Sequence, residues 1–192
     1  MTRTIATKRL FRTKTARMLS LISVLACVPS WGQESPRKVL QEFCQMDAQG
    51  GQLTGQGFRD VSAMFTQARE PRGKRSIVVR DFVVSGPLIE AGKGKFYVEY
   101  VYLGQLDESG PRFSRLPPPF PPGSIKVRIE YTLSQKHQSS GPAEWRIEGA
   151  PREPHISVSA AIKYVEQLRA RATSAVMARN ADRAIAALRH MQ

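Results

Sequence analysis

Between residues 95 and 134 the chain alternates. Phe96, Val98, Tyr100 and Tyr102 fall on one side of the stretch 95–106, with Lys95, Tyr97 and Glu99 between them. Over 124–134, Ile125, Val127, Ile129, Tyr131 and Leu133 alternate with Lys126, Arg128, Glu130, Thr132 and Ser134. A period of two sends successive side chains to opposite faces of a pleated strand, so both stretches predict strands with one packed face and one wet face. A third strand is expected over 76–85 (SIVVRDFVVS), where β-branched residues dominate, with Gly86-Pro87 as its stop and Leu88-Ile89-Glu90 either extending it or starting the next. There Ile77, Val79 and Val83 share a side with Asp81, and Val78, Phe82 and Val84 share one with Arg80, so both faces are expected to be partly covered. A short strand over 143–149 with Trp145 and Ile147 inward completes the set, and Pro151 and Pro154 are expected to end the sheet.

Helical spacing flanks the strands. Ser35 is placed to cap and Pro36 to take the first helical position, after which Val39, Leu40, Phe43 and Met46, with Cys44 beside them, recur at the helical period until Gly50-Gly51. A second helix is expected over 57–68 from Phe58, Val61, Met64 and Phe65. Towards the C-terminus, Ser157 or Ser159 caps a helix to 172 with Ala161, Ile162, Tyr164, Val165 and Leu168 inward. A last helix over 174–190 carries Val176, Ala181, Ala184, Ile185 and Leu188. Helices, then strands, then helices predict an α+β fold: N-terminal helices packed on a curved antiparallel sheet of four to six strands, with two additional C-terminal helices. Between the two long strands, residues 106–123 include six prolines from Pro111 to Pro122. The run 117–122 favours extended polyproline backbone. It is read as a stiff connector with Phe113, Leu116 and Phe120 tucked onto the sheet edge, in preference to a peptide offered to a partner's aromatic groove.

The chain has 192 residues and a formal net charge of +13, which must be divided before it is interpreted. Residues 1–32 carry six basic residues (Arg3, Lys8, Arg9, Arg12, Lys14 and Arg17) and no acid. The rest holds 29 − 6 = 23 basic and 16 acidic residues, a mild excess of +7 with no cluster. A basic start followed by the apolar run 18–28 (MLSLISVLACV), Pro29 and small residues at Ser30 and Gly32 reads as an export signal over 1–32, cleaved before Gln33. Eleven residues are too few for a bilayer span, which needs about 20. A second reading of the same stretch is a lipoprotein box, Val24-Leu25-Ala26-Cys27, in which Cys27 is lipidated and anchors the chain to a membrane. The expected organisation is a signal at 1–32, an α+β domain at 33–155 and a C-terminal helical extension at 156–192. With the signal removed, Cys44 is the one remaining cysteine, so no internal disulfide is expected, and its apolar neighbours mark it as buried.

Little in the sequence carries chemistry. His137, His155 and His190 are isolated from one another, so no metal site is expected. No nucleophile elbow is present, and Gly86 to Gly92-Lys93 has five residues between its glycines and no following Ser or Thr, which makes it a turn and not a phosphate loop. No cofactor is expected. The usable polar residues are Asp81, Glu99, Tyr97, Tyr100, Tyr102 and Tyr131. A carboxylate beside a tyrosine in an apolar cavity performs proton abstraction and oxyanion stabilisation, and Asp81 is the foremost candidate, followed by Glu99, Tyr100 and Tyr131. Against this, Tyr100 and Tyr131 lie on apolar faces as ordinary core rings, and Glu99 is placed to pair with Lys126 or Arg128 across the ladder. Lys163, Arg169, Arg171, Arg179, Arg183 and Arg189 are spaced around the last two helices, which reads as a solvated face and not as a nucleic-acid site.

The helix over 39–49 with its terminal Gly50-Gly51, the short helix over 58–65, and strands ending in Tyr131-Thr-Leu and Glu144-Trp-Arg-Ile give an element order that resembles the nuclear-transport-factor-2-like superfamily, the SnoaL or cystatin-like α+β cone. The two C-terminal helices depart from that pattern. The resemblance implies an open cone-shaped sheet, and a superfamily that spans isomerases, cyclases, dehydratases and non-catalytic binding domains. The reading taken forward is an exported, non-catalytic binding or accessory domain of the cell envelope, meeting a small ligand or an envelope protein and able to form a homodimer. Its rivals are a small cone-pocket enzyme using Asp81 with a tyrosine, and a lipoprotein assembly factor anchored through Cys27. Membrane contact is expected only if Cys27 is lipidated.

Overall fold

A computed structural model of the chain describes residues 35–67, 75–90, 92–115, 125–136, 143–149 and 153–192. All of these fall in one compact unit, Gly32–Gln192. The export stretch with Cys27, the turns at 70–73 and 137–141, and the proline run 117–122 with Leu116 lie outside the described residues.

Ser35 caps helix α1, Pro36–Ala48, by accepting from the Lys38 N–H, and Pro36 starts it where a missing N–H costs nothing. Gly50, at φ +82°, turns the chain out of the helix into a short 3-10 turn, Gly51–Leu53. Thr54 then caps α2, Gly55–Ser62. This helix is shorter than the apolar spacing of 57–68 predicts. Past Val61 the chain leaves the helix, and Met64 and Thr66 exchange backbone hydrogen bonds with Ile147, 2.9 and 3.0 Å, so Phe65 is drawn into the core by strand pairing instead of by a helical turn.

The strands are β1 (Arg75–Glu90), β2 (Lys93–Asp107), β3 (Arg112–Arg115), β4 (Ile125–Lys136), β5 (Glu144–Ile147) and β6 (His155–Ser157). They form one mixed sheet in the order β5-β4-β2-β1-β6, with β3 also on β2. Three features differ from the sequence expectation. First, β1 does not stop at Gly86-Pro87. It runs on to Glu90 through an irregularity between Ser85 and Leu88, where Gly86 sits at φ +105°. Second, the sheet does not end at the prolines: β6 adds a short parallel partner to Ile77–Val79 of β1. Third, the connector at 106–123 contains a strand. Arg115 of β3 pairs with Gly104 and Ile125 of β4 pairs with Tyr102, so β3 and β4 follow one another along the same edge of β2.

The change of partner from β3 to β4 falls where β2 itself is irregular. Val78 faces Gly104 and Val79 faces Tyr102, leaving Leu103 as an extra residue. One extra residue reverses the alternation of the strand beyond it. Phe96, Val98 and Tyr100 therefore join the core beneath α1, with Val79, Val84, Tyr131, Leu133, Trp145 and Ile147. Leu103 and Leu106 turn to the other face with Val78 and Ile156. There they meet α3 (Val158–Ala170), capped by Ser157, and α4 (Ala175–Arg189), capped by Ser174. Ala161, Ile162 and Val165 of α3 and Ala181, Ala184, Ile185 and Leu188 of α4 complete this second core, and Phe113 packs against it from β3. Val176, placed on the inner stripe by its spacing, is exposed. The protein is α+β, with a curled sheet between an N-terminal helix pair and two C-terminal helices.

Candidate functional site

Where α1 crosses the inner face, several polar groups are buried together. Residues 40, 43, 44 and 47 share one face of α1, so Asp47 is buried with Leu40, Phe43 and Cys44. The Cys44 thiol lies 3.5 Å from the Tyr100 hydroxyl, which lies 3.0 Å from the Tyr131 hydroxyl. On the other side of Tyr100 the imidazole of His155 stacks at 4.2 Å between ring centroids, and its Nε2 is 2.8 Å from the hydroxyl of Tyr102. Asp47 holds this arrangement from behind. Its Oδ2 accepts from the His155 backbone N–H at 2.9 Å and its Oδ1 accepts from Nε2 of Gln52 at 2.8 Å. The β6 strand that the sequence pattern did not reveal is thus pinned to α1 through a buried carboxylate.

Burial sets the protonation of the cluster. Desolvation pushes the Cys44 thiol up to about 12, an effect opposed by its hydrogen bond with Tyr100. The phenols of Tyr100 and Tyr131 are raised well above the usual tyrosine range, chiefly by desolvation. Tyr102, only half-buried, rises to about 12 for the same reason and through the charge of Glu153. Desolvation lowers His155 to about 4, so its ring is neutral at physiological pH. The Nδ1 of His155 is buried and has no hydrogen-bond partner among the described residues. Cys44, Tyr100, Tyr131 and His155 are therefore neutral donors and acceptors buried beside the Asp47 carboxylate, with Tyr102 the half-exposed outer member.

The structure brings Tyr100 and Tyr131 together and leaves the two carboxylate candidates outside. Asp81 is exposed on β1, where its Oδ1 accepts from the N–H of Phe82 at 2.8 Å. Glu99 accepts from Nζ of Lys126 at 2.7 Å on the outer face. Its direct cross-strand neighbour Arg128 instead lies 3.9 Å above the ring of Tyr97. Among the described residues no group of three or more His, Cys, Asp or Glu side chains is placed to hold a metal ion, and no helix is long and apolar enough to cross a membrane. Sequence reasoning missed Asp47 and His155 as partners. Asp47 was discoverable, since an acid three residues beyond Cys44 on an apolar stripe demands buried donors. His155 carried no comparable signal.

The fold and the cluster define an α+β protein whose mixed sheet bears helices on both faces and encloses a hydrogen-bonded polar cluster in its core. Comparison with protein-family models, with curated proteins and with solved structures gave no match.

Proposed function

We propose that this chain is an exported, non-catalytic binding or accessory domain of the cell envelope, of the nuclear-transport-factor-2-like kind, that works by docking a ligand or a partner and not by turnover. The observation that carries the non-catalytic part is the inner face itself. The Tyr100 hydroxyl bonds to Tyr131 and to Cys44 in place of facing a substrate, neither Asp81 nor Glu99 stands among them, and the carboxylate that does lie beside them, Asp47, is taken up by the His155 backbone N–H and Gln52. General acid–base catalysis favours groups that titrate near the working pH and reach a substrate proton. Burial moves Cys44, Tyr100, Tyr131 and His155 away from neutrality. The export part rests on the basic start and apolar run of residues 1–32. Expression of the full chain from its own leader, followed by fractionation and intact mass, tests it. The expected product is an envelope fraction beginning at Gln33. A mature N-terminus at an acylated Cys27 would replace it with the anchored form, and an unprocessed cytosolic chain would overturn export altogether.

One observation favours a second reading. Tyr102 is half-buried and its hydroxyl meets Nε2 of His155, which makes this pair, and not Asp81, the proton relay an enzyme on this scaffold would use. Tyr102→Phe separates the two readings: partner or ligand binding survives it in a docking domain, whereas turnover would collapse.

A further inference from the structure

Strand β1 has an open side. On the edge away from β2, β6 pairs only with Ile77–Val79, so from Arg80 onward no described strand flanks β1. An unpaired edge of this length is a template for another strand, and here it comes with exposed apolar side chains: Val83 is 58% exposed, Leu88 62% and Ile89 50%. Three of the four exposed large hydrophobics among the described residues lie on this one segment.

Two backbone groups of the segment, the Phe82 N–H and the Val84 carbonyl, are nevertheless occupied. The carboxylate of Asp81 accepts from the N–H of Phe82 at 2.8 Å, and Nη2 of Arg37, reaching over from α1, donates to the carbonyl of Val84 at 3.1 Å. Residues two apart in a strand present their N–H and C=O groups to the same side, so these two contacts act on one edge. Just beyond, Pro87 offers no N–H at all, and irregularities at Arg80-Asp81 and Gly86-Pro87 break the even spacing that a partner strand needs. We propose that Asp81 and Arg37 are edge caps: they close the outer side of β1 against strand addition by a second copy of this chain. A second copy is the occupant excluded because it carries the same apolar segment in the same extended form, and antiparallel pairing of a segment with itself closes into a two-fold dimer. In this account Asp81, on a strand face with β-branched neighbours, is kept for its acceptor oxygens.

The test is the mass of the full chain in solution, by light scattering over a concentration series, combined with amide exchange. The wild type is expected to be monomeric through this edge, with the Val84 amide exchanging freely. The doubly substituted Arg37→Ala, Asp81→Ala chain is expected to double in mass with rising concentration and to gain exchange protection at Phe82 and Val84. Asp81→Asn, which keeps an acceptor oxygen, leaves the monomer intact, and Val83→Lys restores the monomer in the doubly substituted background. A folded double variant that stays monomeric at every concentration overturns the proposal, and so does a wild type already protected at Val84 by a second copy. Both capping side chains are exposed, so their truncation removes nothing from the core. Should the double variant fail to fold, Asp81→Ala alone carries the same two readouts.

Discussion

At the scale of single residues, His155 has the clearest solution consequence. Its imidazole titrates at about 4 in the folded chain against an ordinary value of 6.5, because burial disfavours the charged ring. The unfolded chain therefore binds a proton between those values that the folded chain refuses. Its contribution to stability is fully present above about pH 6.5 and is lost as pH falls towards 4, a loss of about 3 kcal/mol for one group. Urea midpoints of the wild type should drop over that window more steeply than those of His155→Phe, which keeps the stack on Tyr100 and has no proton to take. Parallel slopes would mean that the ring charges freely. Tyr100→Phe tests the rest of the cluster. It leaves the Tyr131 hydroxyl and the Cys44 thiol without their shared partner, and should cost about 1–2 kcal/mol in chemical denaturation. Cys44 in the wild type should resist alkylation until the chain unfolds, since its thiol is buried and raised to about 12.

At the scale of elements, the junction of β2 with β3 depends on the absence of a side chain. A Cβ built on Gly104 would stand 2.4 Å from the carbonyl oxygen of Ser114 and 2.6 Å from the ring of Phe113. Gly104→Ala should push β3 off the sheet, withdraw Phe113 from the second core and destabilise by about 1–3 kcal/mol. Faster amide exchange confined to β3 would locate the effect there. The start of α3 rests on a cap instead. Ser157 Oγ accepts from the Ala160 N–H at 3.2 Å, and Ser157→Ala should cost about 1 kcal/mol, read from the urea midpoint. Ser157 also ends β6, so one residue both closes a strand and opens a helix. That is why the chain can pass from sheet to α3 without a loop.

At the scale of the whole molecule, the C-terminal helices are part of the core and not an attachment to it. Leu188 of α4 is fully buried in the same cluster as Val78 of β1, Leu103 and Leu106 of β2 and Ile156 of β6. Glu108, after β2, accepts from Ser76 Oγ at 2.8 Å and from the Tyr164 hydroxyl at 3.1 Å, tying β1 to α3 through one carboxylate. Ion pairs of Arg169 with Asp182 and of Arg189 with Glu166 join α3 to α4 at the surface, where each adds little. Leu188→Ala should therefore lower stability by about 2–5 kcal/mol. The loss should appear as a shift of one cooperative transition monitored in the sheet and in the helices alike. Separate transitions for residues 156–192 and the remainder would show that the helices fold as an independent extension.

Local periodicity determined much of this protein in advance. The α+β class, the packed faces of β2 and β4, the stripes and caps of α1 and α3, the stripe of α4 apart from Val176, and the burial of Cys44, Tyr100 and Tyr131 all follow from spacing, because each depends on residues within a few positions of one another. The tertiary structure alone decided what joins across distance. Asp47 reaches the His155 backbone over 108 residues, and no spacing rule announces a three-residue strand such as β6. Likewise, Leu103 reverses the alternation of β2 only because β1 pairs on both sides of it, which is how one strand can serve two cores. Asp81 reads in sequence as a polar residue on an apolar strand face, equally suited to catalysis. Its place on a stretch of β1 that, among the described residues, no strand but β2 flanks, with the Phe82 N–H as its partner, was settled by which strands lie beside β1, and strand order is a property of the packed sheet.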